Sequence, residues 1–154
     1  MEKSPLKVNK EKEPRSLYDY QSQTEENKME NQNKKILIID DDKYILCIFS
    51  RILQKQGYDV DTAETGQEAL EKIGNQKYDL ALIDVKLPDT EGPNLLARIN
   101  NIYPEMMKIV ITGFPSLEDA TKVMDQGATA YLVKPVKSEE LVKIINEKMK
   151  QTTL

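Results

Sequence analysis

Histidine is absent from this chain of 154 residues. Its absence excludes Ser-His-Asp and Cys-His catalysis, zinc sites with histidine ligands, and phosphorylation of a histidine within the chain. The one cysteine, Cys47, cannot form an internal disulfide, and it falls in an apolar helical pattern that predicts a buried side chain. A reducing, cytoplasmic setting is therefore expected.

The sequence also lacks long apolar runs and an excess of positive charge. No apolar stretch approaches the roughly 20 residues that span a bilayer, and the first residues include no apolar signal-peptide segment. The net charge is −4, with Lys and Arg interspersed among acids. We therefore expect a soluble protein that is neither secreted nor inserted in a membrane and that does not bind nucleic acid directly.

The length favours one domain with a substantial core. Residues 1–33 contain Pro5, Pro14 and many polar residues, and their few apolar positions cannot offset the chain entropy lost on folding. They are predicted to form a disordered tail, in which the short patch Leu17-Tyr18-Asp19-Tyr20 either docks on the domain or a partner or, as is favoured, is simply solvated. The domain is expected to occupy residues 34–154.

From residue 34 onward, short apolar runs alternate with segments of helical periodicity. This pattern is typical of βαβ units around a parallel sheet, and runs without internal alternation indicate strands that are buried on both faces. Five strands and five helices are predicted. The strands are expected at 35–39, 58–62, 80–83, 108–111 and 130–133.

Four of the apolar runs end on polar residues, which are Asp40-Asp41-Asp42, Asp84, Thr112 and Lys134. In an open α/β sheet, ligands bind outside the carboxyl ends of the strands, where these side chains would gather. A single Asp after a strand is more often a turn or cap residue. Clustered carboxylates, however, repel one another unless a cation neutralises them, and a few oxygen ligands suit Mg²⁺.

The same residues suit phosphoryl chemistry. A carboxylate can attack phosphorus and form an aspartyl phosphate, whose oxygens then need a metal, a positive side chain and hydrogen-bond donors. Lys134 can supply the charge and Thr112 the hydroxyl. Pro135 follows Lys134 and forces a turn, which fixes the direction of the ammonium group.

In these residues the chain resembles the receiver domain of two-component response regulators over residues 35–150. The similarity runs, in order, through ILIIDDD, DTAETGQEAL, DLALIDVKLPDTEG, KIVITG and GATAYLVKPV. It implies a doubly wound (βα)5, flavodoxin-like fold. In that fold a five-stranded parallel sheet of order 2-1-3-4-5 carries helices on both faces.

The resemblance also implies a metal site. Asp40 and Asp41 match the acidic pair that binds Mg²⁺, with Asp84 and the backbone carbonyl of Lys86 as further ligands. Asp42, the third acid of the run, is assigned to the start of the first helix.

The resemblance further implies that Asp84 accepts a phosphoryl group from the phosphohistidine of a sensor histidine kinase or a histidine phosphotransfer protein. Thr112 would bond that group, and Lys134 would pair with it. Tyr131 matches the switch aromatic, so Thr112 and Tyr131 are expected to move inward together. That movement would reshape the face made by the domain's fourth helix, fifth strand and fifth helix, which would regulate an unknown partner. The bond between Lys134 and Pro135 is expected to be cis.

Lys86 and Phe114 stand two residues beyond Asp84 and Thr112, at positions that tune phosphoryl lifetime in the family. They either shield the phosphoryl group from water or are rim side chains of no consequence, and both interpretations stay open.

Two other functional classes compete with a receiver. A Mg²⁺-dependent phosphatase with an aspartyl nucleophile needs a second Asp where this chain has Lys86, so turnover beyond self-phosphorylation and slow dephosphorylation is not expected. A scaffold independent of phosphorylation would not need the full set of site residues. No effector domain follows the last predicted helix, and a stand-alone regulator, a relay intermediate and a piece of a longer protein all fit.

Overall fold

A computed structural model describes residues 16–113 and 115–151. The elements in chain order are α1 (Leu17–Asn31), β1 (Lys35–Ile39), α2 (Lys43–Lys55), β2 (Asp59–Ala63), α3 (Gly66–Asn75), β3 (Leu80–Asp84), α4 (Gly92–Ile102), β4 (Met107–Thr112), α5 (Leu117–Asp125), β5 (Ala130–Val133) and α6 (Ser138–Gln151). Within these residues, no helix has the length and apolarity that crossing a membrane requires.

The five strands form one parallel sheet of order β2-β1-β3-β4-β5, which confirms the predicted topology. β3 lies at the centre and is buried along its whole length, as is β4 beside it. Helices cover both faces of the sheet, so both strands are mostly apolar, and the few polar residues in them, such as Lys108, are buried too.

Alternating strand residues feed two hydrophobic cores, one on each face of the sheet. One core joins Ile36 and Leu82 to α2 and α6. The other joins Leu37 and Ile83 to α3, α4 and α5. Each fully buried Leu or Ile contributes about 1.5–3 kcal/mol to folding. The two cores therefore hold the carboxyl ends of the central strands in fixed register.

The prediction of a disordered tail over residues 1–33 is wrong for Leu17–Asn31, which form α1. Residues 1–15 lie outside the described part of the chain. The helix begins at Ser16, whose hydroxyl accepts a hydrogen bond from the Asp19 backbone N–H at 3.2 Å. Composition missed α1 because polar and backbone contacts, rather than an apolar face, hold its end against the domain.

Those contacts involve the last turn of α1. Asn31 is only 5% exposed, and its Nδ2 donates to the Gln56 carbonyl oxygen at 2.7 Å. The Lys28 backbone lies so close to Gly57, whose φ is +97°, that a Cβ there would be 2.6 Å from the Lys28 oxygen. Of the predicted patch, Leu17 and Tyr18 are 72% and 76% exposed, so these two residues do not dock on the domain.

The prediction that Cys47 is buried is also wrong, because its side chain is exposed. The buried positions of α2 are Leu46, Phe49 and Leu53. A stripe at that spacing turns the residue after Leu46 toward solvent.

Candidate metal and phosphoryl site

The predicted site residues meet at the carboxyl edge of the sheet. Asp40 directly follows β1, Asp84 ends β3, Thr112 ends β4, and Lys134 directly follows β5. Asp40 and Thr112 are 4% and 2% exposed, whereas Asp41 is exposed. Since all the strands are parallel, their carboxyl ends lie side by side, and the sheet brings these residues together.

Three carboxylates of this edge lie close to one another. Asp40, Asp41 and Asp84 each offer an oxygen, and these oxygens all lie within 4.8 Å of one another. The Lys134 Nζ is 3.1 Å from Asp40 Oδ2 and 3.6 Å from Asp84 Oδ2. The Lys134 ammonium therefore pairs with two of the three carboxylates, and the cluster of these four side chains has an excess of negative charge.

That excess is visible in the proton affinities of the cluster. Burial, followed by the negative charge of Asp40, raises the pKa of Asp84, although the charge of Lys134 and the Lys86 N–H oppose the rise. Burial works to lower the pKa of Lys134, but the hydrogen bond and charge of Asp40 and the charge of Asp84 outweigh it, so the pKa is raised. A bound cation would relieve the cost of ionised Asp84.

Asp42 is the N-cap of α2, in agreement with its assignment to the start of the helix. Its side chain accepts a hydrogen bond from Tyr44 N at 2.9 Å, and its own N–H donates to Asp40 Oδ1 at 2.9 Å. The Asp42 carboxylate therefore satisfies the helix end, and its backbone orients the carboxylate of Asp40.

Thr112 and Lys134 are tied to each other through the backbone. The Lys134 N–H donates to the Thr112 carbonyl oxygen at 2.7 Å, directly beyond the paired residues Thr112 and Val133. The Lys134-Pro135 peptide bond is cis, as expected. The end of β5 is thus held against the end of β4, and the Lys134 ammonium lies at the carboxylate cluster.

Lys86 has its side chain exposed and its backbone beside the cluster. Its N–H points to Asp84 Oδ1 at 3.4 Å, which keeps the chain after β3 next to the carboxylate. The role of its carbonyl oxygen as a metal ligand stays a prediction. Phe114 lies outside the described residues, so its predicted effect on phosphoryl lifetime stays a prediction too.

Tyr131 is half-buried and packs against the core that includes α3, α4 and α5. Its hydroxyl is buried, and none of the described residues forms a hydrogen bond with it. A buried hydroxyl without a partner is costly, so the packing of the ring holds Tyr131 in this position.

Sequence reasoning missed Asp89, which lies in the loop after Asp84. Its carboxylate accepts hydrogen bonds from the backbone N–H groups of Gly66 at 2.8 Å and Gln67 at 2.9 Å. These bonds lower the pKa of Asp89. The available signal was an acid placed after Pro88 in a loop, together with a helix start whose first N–H groups need acceptors.

Comparison with known proteins places the chain in one family. The profile of the response regulator receiver domain matches residues 36–146. Over 124 residues the chain is 32% identical to the transcriptional regulatory protein GlrR of Escherichia coli (strain K12), a match that covers 80% of this chain and 28% of GlrR. The chain therefore spans less than a third of the length of that relative.

Solved structures agree with the sequence match. The crystal structure of a response regulator receiver domain protein (CheY-like) from Methanospirillum hungatei JF-1 has a TM-score of 0.75 at 45% identity, covering 77% of this chain and 94% of that one. The BeF3-activated DrrB receiver domain has a TM-score of 0.71 at 31% identity, covering 76% and 97%. Because the profile match spans most of the chain and these structures share its fold, this chain belongs to the response regulator receiver domain family.

Proposed function

We propose that Asp84 accepts a phosphoryl group from the phosphohistidine of a partner, in a Mg²⁺-dependent reaction that controls an output partner. The observation that carries this proposal is the cluster of three carboxylates with oxygens within 4.8 Å of one another, joined by Lys134 Nζ at 3.6 Å from Asp84. The chain has no histidine, so the phosphohistidine belongs to a partner, which we propose is a sensor histidine kinase or a histidine phosphotransfer protein.

The donor set fits Mg²⁺. Asp40, Asp41 and Asp84 offer hard carboxylate oxygens with an excess of negative charge, and the Lys86 carbonyl oxygen would complete the protein ligands. When bound, Mg²⁺ neutralises charge on the phosphoryl oxygens and brings them to the carboxylate. The buried position of Asp40 and its hydrogen bond from Asp42 N keep one ligand oriented before any metal arrives.

The transfer forms one bond and breaks one. A carboxylate oxygen of Asp84 attacks phosphorus, the N–P bond to the partner's imidazole breaks, and the imidazole nitrogen keeps the electron pair and takes a proton from solvent. Lys134 pairs with the transferred group, and the Thr112 hydroxyl donates a hydrogen bond to it. With Lys86 where a phosphatase needs a second acid, Asp84 acts as a phosphoacceptor rather than as the nucleophile of a turnover enzyme.

The receiver domain is proposed to occupy residues 34–154 and to work in the cytoplasm. Its output face consists of α5, β5 and α6, the domain's fourth helix, fifth strand and fifth helix. Phosphoryl on Asp84 draws Thr112 toward the site, and Tyr131 follows, because packing alone holds its hydroxyl in place. GlrR is a transcriptional regulatory protein, which supports a regulatory output through a partner or a further domain.

Wild type and Asp84→Asn, each incubated with Mg²⁺ and acetyl phosphate, test the phosphoacceptor. Intact-mass spectrometry is expected to find one phosphoryl group on wild type and none on the variant, while Asp61→Asn, at the other end of the sheet, is labelled like wild type. Rapid release of inorganic phosphate without stable label would indicate a phosphatase instead. Absence of label on wild type would indicate a scaffold that works without phosphorylation.

A further inference from the structure

The loop between β3 and α4 closes on itself through backbone contacts. Gly92 N–H donates to the Val85 oxygen at 2.6 Å, and Leu87 N–H donates to the Thr90 oxygen at 3.2 Å. Lys86 forms an isolated antiparallel bridge with Glu91. The Lys86 carbonyl, a candidate metal ligand, therefore sits in the stem of a small hairpin whose tip carries Asp89.

The tip of this hairpin contacts the start of α3. The Asp89 carboxylate accepts hydrogen bonds from Gly66 N at 2.8 Å and Gln67 N at 2.9 Å. Beside it, the Thr90 methyl lies so near Gly66 that a Cβ there would be 2.5 Å from Thr90 Cγ2. A negative side chain is favoured at the positive end of a helix, so charge and packing both hold the tip.

α3 has a cap of its own. The Thr65 Oγ1 accepts a hydrogen bond from Glu68 N at 3.0 Å, and the Glu68 carboxylate reaches back to Glu64 N at 2.9 Å. These two bonds already cap the start of the helix. By contrast, Asp89 is 23 positions from Gly66 and 22 from Gln67, so the two hydrogen bonds that it accepts join separate segments of the chain.

We propose that Asp89 is a positioning residue that ties the Lys86 loop to α3 and thereby fixes the Mg²⁺ site before the metal binds. This inference rests on the proposed function, because it concerns the ligands of the same site. The hairpin is closed at its stem, so a tether at the tip sets the orientation of the whole loop. Without that tether, the Lys86 carbonyl must be ordered when the metal binds, which weakens Mg²⁺ affinity.

The test measures Mg²⁺ affinity by isothermal titration calorimetry on wild type, Asp89→Ala, Asp89→Asn and Thr65→Ala. Asp89→Ala is expected to raise the Mg²⁺ dissociation constant about tenfold, as removal of groups that orient metal ligands does. Asp89→Asn keeps one acceptor oxygen, so its dissociation constant is expected between those of Asp89→Ala and wild type. Thr65→Ala removes the cap of the same helix without touching the loop, and it is expected to lower Tm while Mg²⁺ affinity stays that of wild type.

Two results would overturn the positioning role. One is an equal loss of Mg²⁺ affinity in Asp89→Ala and Thr65→Ala, since stability of the α3 start would then account for both. The other is wild-type affinity in Asp89→Ala. A wild-type chain that bound no Mg²⁺ and took up no phosphoryl group would instead refute the proposed function, so the two failures are distinguishable.

Discussion

The charged side chains at the two ends of the sheet have different kinds of partners. At the amino end, Lys35 Nζ lies 3.3 Å from Asp59 Oδ2 and 3.6 Å from Asp61 Oδ2, and it donates to Gln76 Oε1 at 2.8 Å. The Tyr78 hydroxyl donates to Asp61 Oδ2 at 2.7 Å, and the Lys35 ammonium sits 5.8 Å from the centre of the Tyr78 ring. At the carboxyl end, Asp40, Asp41 and Asp84 lie together, and Lys134 pairs with Asp40 and Asp84.

The difference separates a structural network from a functional one. In the amino-end network, two carboxylates are matched by an ammonium, a phenol and an amide, so the group of side chains is complete within the chain. In the carboxyl-end cluster, the raised pKa of Asp84 shows that ionisation there is still opposed by burial and by Asp40. The end of the sheet where a buried carboxylate still resists ionisation is the end suited to bind a cation and to carry a reaction.

Loss of the Lys134 ammonium is expected to have the largest effect on the free energy of unfolding. Lys134→Met leaves the buried Asp40 without its ion-pair partner and should lower the free energy of unfolding by about 3 kcal/mol in Mg²⁺-free buffer. Lys35→Met, whose partners are more exposed, should cost about 1 kcal/mol or less. Urea titrations measure both, and equal losses would erase the contrast between the two ends.

Removal of two carboxylates at either end tests the same contrast through Mg²⁺ affinity. Asp40→Asn combined with Asp41→Asn should weaken Mg²⁺ binding by about a hundredfold, because ligand charge sets affinity at such sites. The matched double variant at the amino end, Asp59→Asn with Asp61→Asn, should bind Mg²⁺ as wild type does. Calorimetric titration measures the Mg²⁺ affinity of both variants. Weakened Mg²⁺ binding in the amino-end variant would argue against a site confined to the carboxyl end.

Tyr78→Phe probes the amino-end network alone. It removes the hydroxyl that bonds with Asp61 Oδ2 at 2.7 Å and Gln76 Nε2 at 2.6 Å, so the free energy of unfolding should fall by about 1 kcal/mol. Mg²⁺ affinity and phosphoryl uptake should not change. A change in either would show that the two ends are coupled through the sheet.

The smallest expected effect is a pH-dependent gain in stability. Because the pKa of Asp84 is raised in the folded state, its ionised form costs folding free energy at neutral pH; that cost shrinks as pH falls below the raised pKa and is gone below the pKa of the unfolded chain. Asp84→Asn removes the charge beside Asp40, Asp41 and Lys134. Without Mg²⁺ its Tm should exceed that of wild type by about 2–4 °C at neutral pH, equivalent to about 1 kcal/mol in a chain of this size.

Thermal melts of the two proteins from neutral to mildly acidic pH measure this gain. The Tm difference should shrink toward acid, where Asp84 of wild type is also uncharged. A difference that stays constant with pH would mean that shape or packing, and not the charge of Asp84, causes it.

The sheet and its acidic edge could be predicted because both follow from local sequence. Continuous apolar runs identify buried parallel strands, and in a parallel sheet whatever follows those runs must gather at one edge. For that reason the sequence alone predicts that four residues lie at one edge of the sheet: Asp40, Asp84, Thr112 and Lys134. The resemblance to receivers then supplied the strand order and the role proposed for each residue.

The features that sequence reasoning missed depend on contacts between distant segments. α1 ends on a side-chain bond from Asn31 to Gln56, which apolar periodicity cannot show. The bonds from Asp89 to the start of α3 are of the same kind. Cys47 was predicted to be buried because it falls among the apolar residues of α2. The buried positions of that helix are Leu46, Phe49 and Leu53, and Cys47 lies outside that stripe.

The packing of α1 and α6 has a consequence for how larger assemblies reach this domain. α1 ends beside Gln56, and the Tyr58 hydroxyl, just before β2, lies 2.5 Å from Asn146 Oδ1 in the second half of α6. Both helices are therefore anchored where the strands begin, at the pole opposite the acidic edge. Neither contact lies at the acidic edge, so the anchoring of these two helices leaves the three carboxylates uncovered by them.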